Sequence, residues 1–220
     1  MIKRFLTIVI NTLLVFFVSG CTKTDITPPV ITLLGNNPDT LILNQKYVEP
    51  GYSAKDDNDG DITNHVGISS QPTLNKDIAG NYLRYYSVND ASGNKDTVVR
   101  TVTVYNQASF LSGKYSCKSN CTYTGGVDFT STVSPSNYVN YYLLFSNFGG
   151  SFGVNIIDSA IFNPNTNLLT FGNNQSLGGN KTLVSASGTV TGVAPHCTIT
   201  IIYTWTDGIN TDNCTAIYSN

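Results

Sequence analysis

From Gly113 to Tyr218 no stretch keeps a helical period for ten residues, and nothing constrains the fold more. Short runs rich in Val, Ile, Thr, Tyr and Phe recur instead. Turn chemistry breaks them at Ser134-Pro135-Ser136, Phe148-Gly149-Gly150, Asn163-Pro164-Asn165, Gly178-Gly179-Asn180 and Asp207-Gly208. The runs read as strands over Gly113–Cys117, Val127–Val133, Tyr138–Phe145, Gly153–Ile157, Ala160–Phe162, Asn167–Phe171, Thr182–Val190, Thr198–Trp205 and Thr215–Tyr218. So many short strands in residues 107–220 predict a compact antiparallel β-barrel or β-sandwich. Composition agrees, because the chain has one Glu (Glu49), too few for a helical bundle, while Asn, Ser and Thr number 14, 14 and 15 in residues 107–220.

The front of the chain has its own strand cadence. Thr27-Pro28-Pro29 is a rigid entry that cannot continue a helix. Val30–Leu34, Leu41–Leu43, Val66–Ser69, Tyr82–Val88 and Thr97–Val104 follow as strands. Tyr82, Arg84, Tyr86 and Val88 share one face of the fourth, and Asp90-Ala91-Ser92-Gly93-Asn94 is a turn. This spacing predicts a sandwich. The residues also resemble a known family. The run Asp25–Gly35 (Asp-Ile-Thr-Pro-Pro-Val-Ile-Thr-Leu-Leu-Gly) resembles the opening of a bacterial immunoglobulin-like surface domain. Tyr47–Asp56, Asp59-Gly60-Asp61-Ile62-Thr63, Gly80-Asn81-Tyr82 and Val88–Asn94 follow in that family's order. The family is similar to the hyalin-type repeat and occurs in pesticidal crystal proteins. For residues 25–105 the resemblance implies an Ig-like sandwich acting as a spacer or adhesion module. Phe110-Leu111-Ser112-Gly113-Lys114-Tyr115 resembles the opening of calycin barrels, with Tyr115 where Trp is usual.

The first residues read as an address. Lys3 and Arg4 precede an apolar run from Phe5 to Val18, too short to span a bilayer and right for a secretory signal. Val18-Ser19-Gly20-Cys21 resembles the lipobox of bacterial lipoproteins, which implies lipidation at Cys21 and a lipid anchor in the membrane. Thr22 after the Cys is compatible with the outer membrane, on its periplasmic or extracellular face. The expected organisation is a signal peptide over 1–20, a tether over 21–28, an Ig-like domain over 29–105 and a barrel or sandwich domain over 107–220.

Removing residues 1–20 leaves 10 basic against 14 acidic residues, a net charge of −4. A nucleic-acid partner is excluded, since its binder would be basic. Only 12% of the chain is charged, and residues 107–220 hold 3 basic and 4 acidic side chains. Beyond Cys21, the remaining Cys117, Cys121, Cys197 and Cys214 all fall in the second domain. An even count in an exported chain favours two disulfides over free buried thiols; three pairings are possible, and links from the 117/121 end to the 197/214 end are the favoured ones.

Chemistry-bearing motifs are few. Asp56-Asp57-Asn58-Asp59-Gly60-Asp61 packs four carboxylates into six residues, and with Asp90 these could furnish oxygen ligands for calcium. Asp and Asn also cap tight surface turns without any ion. No other cofactor is expected. Gly149-Gly150-Ser151-Phe152-Gly153 spells a nucleophile elbow, with Asp158 and His196 following. That elbow needs a strand, sharp turn and helix on an α/β sheet, so a glycine turn is the expected outcome here. One Glu excludes a Glu/Glu glycosidase. Aromatic rings among neutral amides and hydroxyls suit a hydroxyl-rich ligand such as a glycan. Trp205, beside the Asp207-Gly208 turn, with Tyr203 and Tyr141, are the candidate rings, although most rings in a barrel are core. The expected function is a non-catalytic lipoprotein whose second domain binds a glycan or a protein. Two alternatives remain: a calycin-like carrier or inhibitor with a small ligand inside the barrel, and a structural subunit of a surface assembly.

Overall fold

A computed structural model describes residues 24–150, 157–193 and 195–220. The expected signal peptide, Cys21 and Ser151 lie outside the described residues. Among the described residues no helix is long and apolar enough to cross a membrane. The chain is nearly all β. Its described part forms two compact units, one holding the residues up to Thr32 with Tyr52–Gly67 and Tyr86–Val98, the other holding Leu33–Gly51, Ile68–Tyr85 and Val99–Asn220.

The Ig-like region contains seven strands in two sheets. β1 (Val30–Leu33), β3 (Tyr52–Asp56) and β4 (Gly60–Asp61) form one, in the order β1-β3-β4. β2 (Asp39–Ile42), β5 (Gly67–Gln71), β6 (Gly80–Asn89) and β7 (Lys95–Tyr105) form the other, in the order β2-β7-β6-β5. The short β3 and β4 escape notice in the sequence, because Lys55, Asp56 and Asp61 sit where apolar residues would announce a strand. On β6 the alternation holds. Tyr82, Tyr86 and Val88 are buried, while Leu83 is exposed. In the first unit Tyr52 packs on Tyr86 at 5.3 Å between centroids. In the second, Leu41, Leu43, Tyr82, Val102 and Val104 form a cluster. Beside them Arg100 is fully buried. Its Nη2 donates to the carbonyls of Leu34 at 2.6 Å and Gly51 at 3.1 Å, with Glu49 at 3.6 Å and Asp39 at 3.9 Å from its guanidinium.

The described residues between 113 and 220 form a closed barrel. β8 (Gly113–Cys121), β9 (Gly125–Pro135), β10 (Tyr142–Ser146), β11 (Ile157–Asn163) and β12 (Leu168–Phe171) pair in chain order, and β14 (Lys181–Val193), β15 (His196–Thr206) and β16 (Thr211–Ser219) continue it. All pairs are antiparallel. Two pairings close the circle: Cys214 opposite Cys121 between β16 and β8, and Leu168 opposite Thr189 between β12 and β14. β13 (Gln175–Gly178) lies along β14 in the same sense, with Gln175 opposite Leu183. β12 and β13 are thus two halves of one interrupted strand, and the barrel counts eight. Barrel closure resolves the open alternative in favour of the barrel over the sandwich.

Strict alternation fills the interior. β16 reads exposed and buried in turn from Thr211 to Ser219, and Asp212, Cys214, Ala216 and Tyr218 face inward. Tyr115, Phe145, Phe148, Tyr203 and Tyr218 are each under 2% exposed. Each such ring removes roughly 150–250 Å² from water, about 4–6 kcal/mol gross before entropy is counted. Their hydroxyls are satisfied: Tyr115 donates to the Leu111 carbonyl at 2.9 Å, and Tyr203 pairs with the Ser119 hydroxyl at 2.8 Å. Burial holds the Tyr115 hydroxyl up at about 12.

β10 leaves the wall early, at Ser146, and the chain then turns into the barrel. Phe148 inserts between Phe171 (5.5 Å) and Tyr203 (5.1 Å). The turn requires glycine. Gly149 and Gly150 have φ of +67° and +73°, and a Cβ on Gly150 would sit 2.5 Å from the Phe129 ring. At the other end Asn106 organises the loop before β10. Its Oδ1 accepts from the N–H groups of Ala108 and Tyr141, and its Nδ2 lies 3.0–3.1 Å from the carbonyls of Ser136, Val139 and Tyr142. This loop replaces the first part of the strand expected from Tyr138, and Tyr141 takes a φ of +63° in it.

Candidate functional site

The filled barrel leaves its outside as the surface available to a ligand. An open trough runs along the outer faces of β16, β8 and β9. Strand register lays its residues out as rows. Ile217, Lys118 and Asp128 stand abreast; Thr215, Asn120 and Gly126 form the next row, and Ser219, Ser116 and Thr130 the row on the other side. Lys114 and Thr132 extend it. The lining is two cations (Lys114 and Lys118), one anion (Asp128), one aliphatic side chain (Ile217) and a field of neutral hydroxyls and an amide. Such a surface offers hydrogen bonds to a ligand that itself carries hydroxyls or amides.

Among the described residues, an exposed aromatic residue lies in the turn that joins β8 to β9 at this end of the trough. Tyr123, 81% exposed, occupies the turn between β8 and β9, just beyond Asn120 and Gly126. The turn is held firmly from beneath. Asp212 accepts the Tyr123 N–H at 3.1 Å on Oδ1, and the Thr124 N–H and hydroxyl, each at 2.9 Å, on Oδ2. Burial alone would raise the Asp212 carboxyl. The donors on Thr124, Tyr123 and Asn213 outweigh it and hold the group below its usual value, as a carboxylate. The Cys121–Cys214 disulfide, Cα atoms 4.0 Å apart, closes the turn's base. Sequence reasoning missed Tyr123. Its signal was a ring set between a Cys and the Gly125-Gly126 pair, in a segment with no strand alternation around it.

The rings expected to meet a ligand do something else. Trp205 is 4% exposed and Tyr203 is 1% exposed, so both belong to the barrel core. Their positions on β15 alternate inward, and that parity, not nearness to the Asp207 turn, decides where they point. The Lys181 ammonium lies 4.6 Å from the Trp205 ring centre. Tyr141 packs partly buried against the core, 6.5 Å from Phe162 between centroids. Trp205 and Tyr203 offer no free face, and Tyr141 stays partly exposed.

One disulfide forms instead of two. Cys117 and Cys197 are free and buried. Cys117 lies opposite Tyr218 of β16, and Ile199 of β15 lies opposite the same Tyr218 on its other side. Two strand spacings, about 9.5 Å, therefore separate the strands bearing Cys117 and Cys197. A disulfide needs Cα atoms within about 7 Å. Burial pushes the Cys117 thiol up to about 12 and raises that of Cys197, so both are poor nucleophiles.

The acidic run does not act as one loop. Asp57, Asp59 and Asp61 are exposed. Asp59 accepts from the Ala91 N–H at 2.6 Å and Asp61 from the Thr63 N–H at 3.0 Å, so these two do turn-building work. Asp56 and Asp90 are each 8% exposed, and they converge with Asp25, a residue not foreseen. One carboxylate oxygen of each lies within 4.8 Å of the other two.

Of the elbow-like string, Gly149 and Gly150 lie in the turn described above, and Ser151, Phe152 and Gly153 lie outside the described residues. Asp158 is 1% exposed on β11, whereas His196 is exposed at the start of β15. No hydrogen bond joins these two described residues. Burial pushes the Asp158 carboxyl up to about 6, against one hydrogen bond from the Ser159 N–H.

Residues 31–104 match the family model described as "bacterial surface protein, Ig-like domain", which agrees with the strand blocks read from the sequence. No curated protein matches the chain. Several solved structures are similar to it, among them the following three. The lipoprotein BT2262 of Bacteroides thetaiotaomicron is 20% identical over 86% of this chain and 99% of that one, with a TM-score of 0.39. A Bacteroides ovatus protein of unknown function is 11% identical over 67% and 62%, with a TM-score of 0.37. A structure of CBM51-2 in complex with GlcNAc and INT domains from Clostridium perfringens ZmpB is 15% identical over 87% and 44%, with a TM-score of 0.30. TM-scores of this size carry neither fold nor ligand across.

Proposed function

We propose that the protein is a non-catalytic lipoprotein of the bacterial cell envelope, anchored in the outer membrane through Cys21. Its Ig-like domain serves as a spacer, and its barrel binds a neutral, hydroxyl-rich ligand of the glycan class. The observation that carries this reading is the trough over β16, β8 and β9, ending at the exposed and braced Tyr123. Flat rings bind sugar faces through apolar C–H contact, and the hydroxyls and amide beside the ring supply directional hydrogen bonds. The lipobox supports the anchor, and the match of residues 31–104 to a bacterial surface domain supports the location. The filled interior weighs against a carrier with its ligand inside the barrel, since Phe148, Tyr203 and Tyr218 occupy that space.

The test is a glycan array probed with residues 22–220 and with the variants Tyr123→Ala and Asp128→Ala. Both side chains are exposed, so folding is preserved. Specific binding that both variants lose supports the reading. Binding that survives both overturns the assigned surface. A blank array alongside a stoichiometric protein partner moves the protein to the surface-assembly reading.

A further inference from the structure

We infer that Asp25, Asp56 and Asp90 form a calcium site that pins the tether segment to the Ig-like domain. It goes beyond the barrel's ligand and does not depend on it. The three residues come from distant stretches: Asp25 precedes β1, Asp56 ends β3 and Asp90 follows β6. One oxygen from each lies within 4.8 Å of the others. Oxygens bound to one calcium at about 2.3–2.6 Å are at most about 4.6–5.2 Å apart, so a single ion can touch all three.

An acidic cluster alone would mean little, but two carboxylates of this one each hold a buried oxygen with no hydrogen-bond donor. Asp56 is more than nine-tenths buried, and its Oδ2 accepts no hydrogen bond. The Oδ2 of Asp25 is likewise buried without a donor. Neither lack is forced by a poor fold, because the other oxygens of the same groups are well served. Asp56 Oδ1 accepts from the N–H groups of Asn58 and Asp59 at 2.9 Å each, and Asp25 Oδ1 accepts from Thr27 at 3.0 Å. Asp90 receives the Asn94 N–H at 2.8 Å and the Asn94 side-chain amide at 2.7 Å, which fixes its carboxylate in place. The same amide reaches the Asp25 carbonyl at 3.2 Å. A buried carboxylate oxygen without a donor is costly, and three carboxylates gathered so closely repel one another. A cation answers both. The donor set is all oxygen, which selects a hard ion, and its carboxylates come from a strand end and from loops whose spacing can adjust, which suits calcium better than the rigid octahedron of magnesium.

The consequence is mechanical. Asp25 lies four residues beyond Cys21, so a bound ion ties the start of the tether to the turns at 56–61 and 90–94. The linkage between lipid and folded domain then stiffens where calcium is present.

The test uses the full-length protein in detergent, stripped with a chelator and titrated with calcium in a calorimeter. One equivalent should bind at about 0.1–1 mM, the range of extracellular modules. Asp25→Asn should abolish binding and Asp57→Asn should keep it within about twofold. Asp56→Asn should also abolish it, but that group is buried and its variant can fail to fold. Asp25→Asn therefore decides, checked for folding by its melting curve. In chelator it should melt no lower than the wild type, because removing one of three close carboxylates relieves repulsion. With calcium only the wild type should gain. Absence of saturable binding up to 10 mM, or loss in Asp57→Asn with retention in Asp25→Asn, overturns the site. Equal affinity for magnesium overturns the choice of ion. A lower melting point for Asp25→Asn in chelator makes the group purely structural.

Discussion

Phe148→Ala would test whether the barrel is plugged by its own chain. Phe148 is fully buried and touches the rings of Phe171 and Tyr203. Removing it loses the transfer energy of a whole ring and leaves a cavity that the closed wall cannot collapse to fill. Buried Phe→Ala changes of this kind cost about 3–5 kcal/mol. A small domain has roughly 5–15 kcal/mol to lose, so the variant should still fold. The assay is built into the chain. Trp205 is the sole tryptophan and sits in the barrel core, so its fluorescence reports on barrel unfolding without a signal from the Ig-like region. For a urea slope of about 1.5 kcal/mol per molar, the midpoint should fall by about 2–3 M. Tyr123→Ala, an exposed control, should shift it by less than about 0.5 kcal/mol. A Phe148→Ala loss below 1 kcal/mol would falsify the plugged barrel. The turn at 147–150 would then lie outside the wall, and an interior ligand would return as a reading.

Three further outcomes follow from single sites. Peptide mapping should find Cys121 joined to Cys214, with Cys117 and Cys197 as free thiols that react with an alkylating agent only after unfolding. Replacing both bridged cysteines by Ser should cost about 2–5 kcal/mol, since the bridge closes a loop of 93 residues. Asp158 should make stability fall as pH rises. Its folded carboxyl is held up at about 6 against an ordinary 3.8, so between about pH 4 and 6 the folded barrel keeps a proton that the unfolded chain releases. Asp158→Asn should therefore stabilise the barrel at pH 7 by up to about 3 kcal/mol, with the gain vanishing near pH 4; a constant difference across that range would refute the burial argument. Arg100→Met should cost the Ig-like region about 3–5 kcal/mol, read by calorimetry. It takes the guanidinium donor from the carbonyls of Leu34 and Gly51 and the cation 3.9 Å away from Asp39, while Glu49 keeps Arg84 at 3.2 Å.

Much of this protein is legible along the chain, because strands are local. Alternation between polar and apolar side chains has a period of two, and turns announce themselves by Gly, Pro and Asn, so the all-β class follows from residue order alone. The Ig-like blocks between Asp25 and Asn94 and the resemblance of Val18–Cys21 to a lipobox are also matters of residue order. Closure is not. The same alternation suits an open sandwich and a closed barrel, and it takes the pairing of β12 with β14, Leu168 opposite Thr189, to join the two edges. Which cysteines meet depends on that circle too. Cys121 and Cys214 become neighbours across one strand gap, while Cys117 and Cys197 are left two gaps apart. Trp205 looked like a surface ring because it sits near a turn, but its parity on β15 sends it inward. Asp25 drew no notice beside the dense run at 56–61, yet the fold brings it to Asp56 and Asp90 and leaves Asp57, Asp59 and Asp61 in solvent. Local patterning can set what each short segment becomes. Which distant segments share a surface is decided by the register of pairs far apart in the chain, and that register exists only once the sheets have closed.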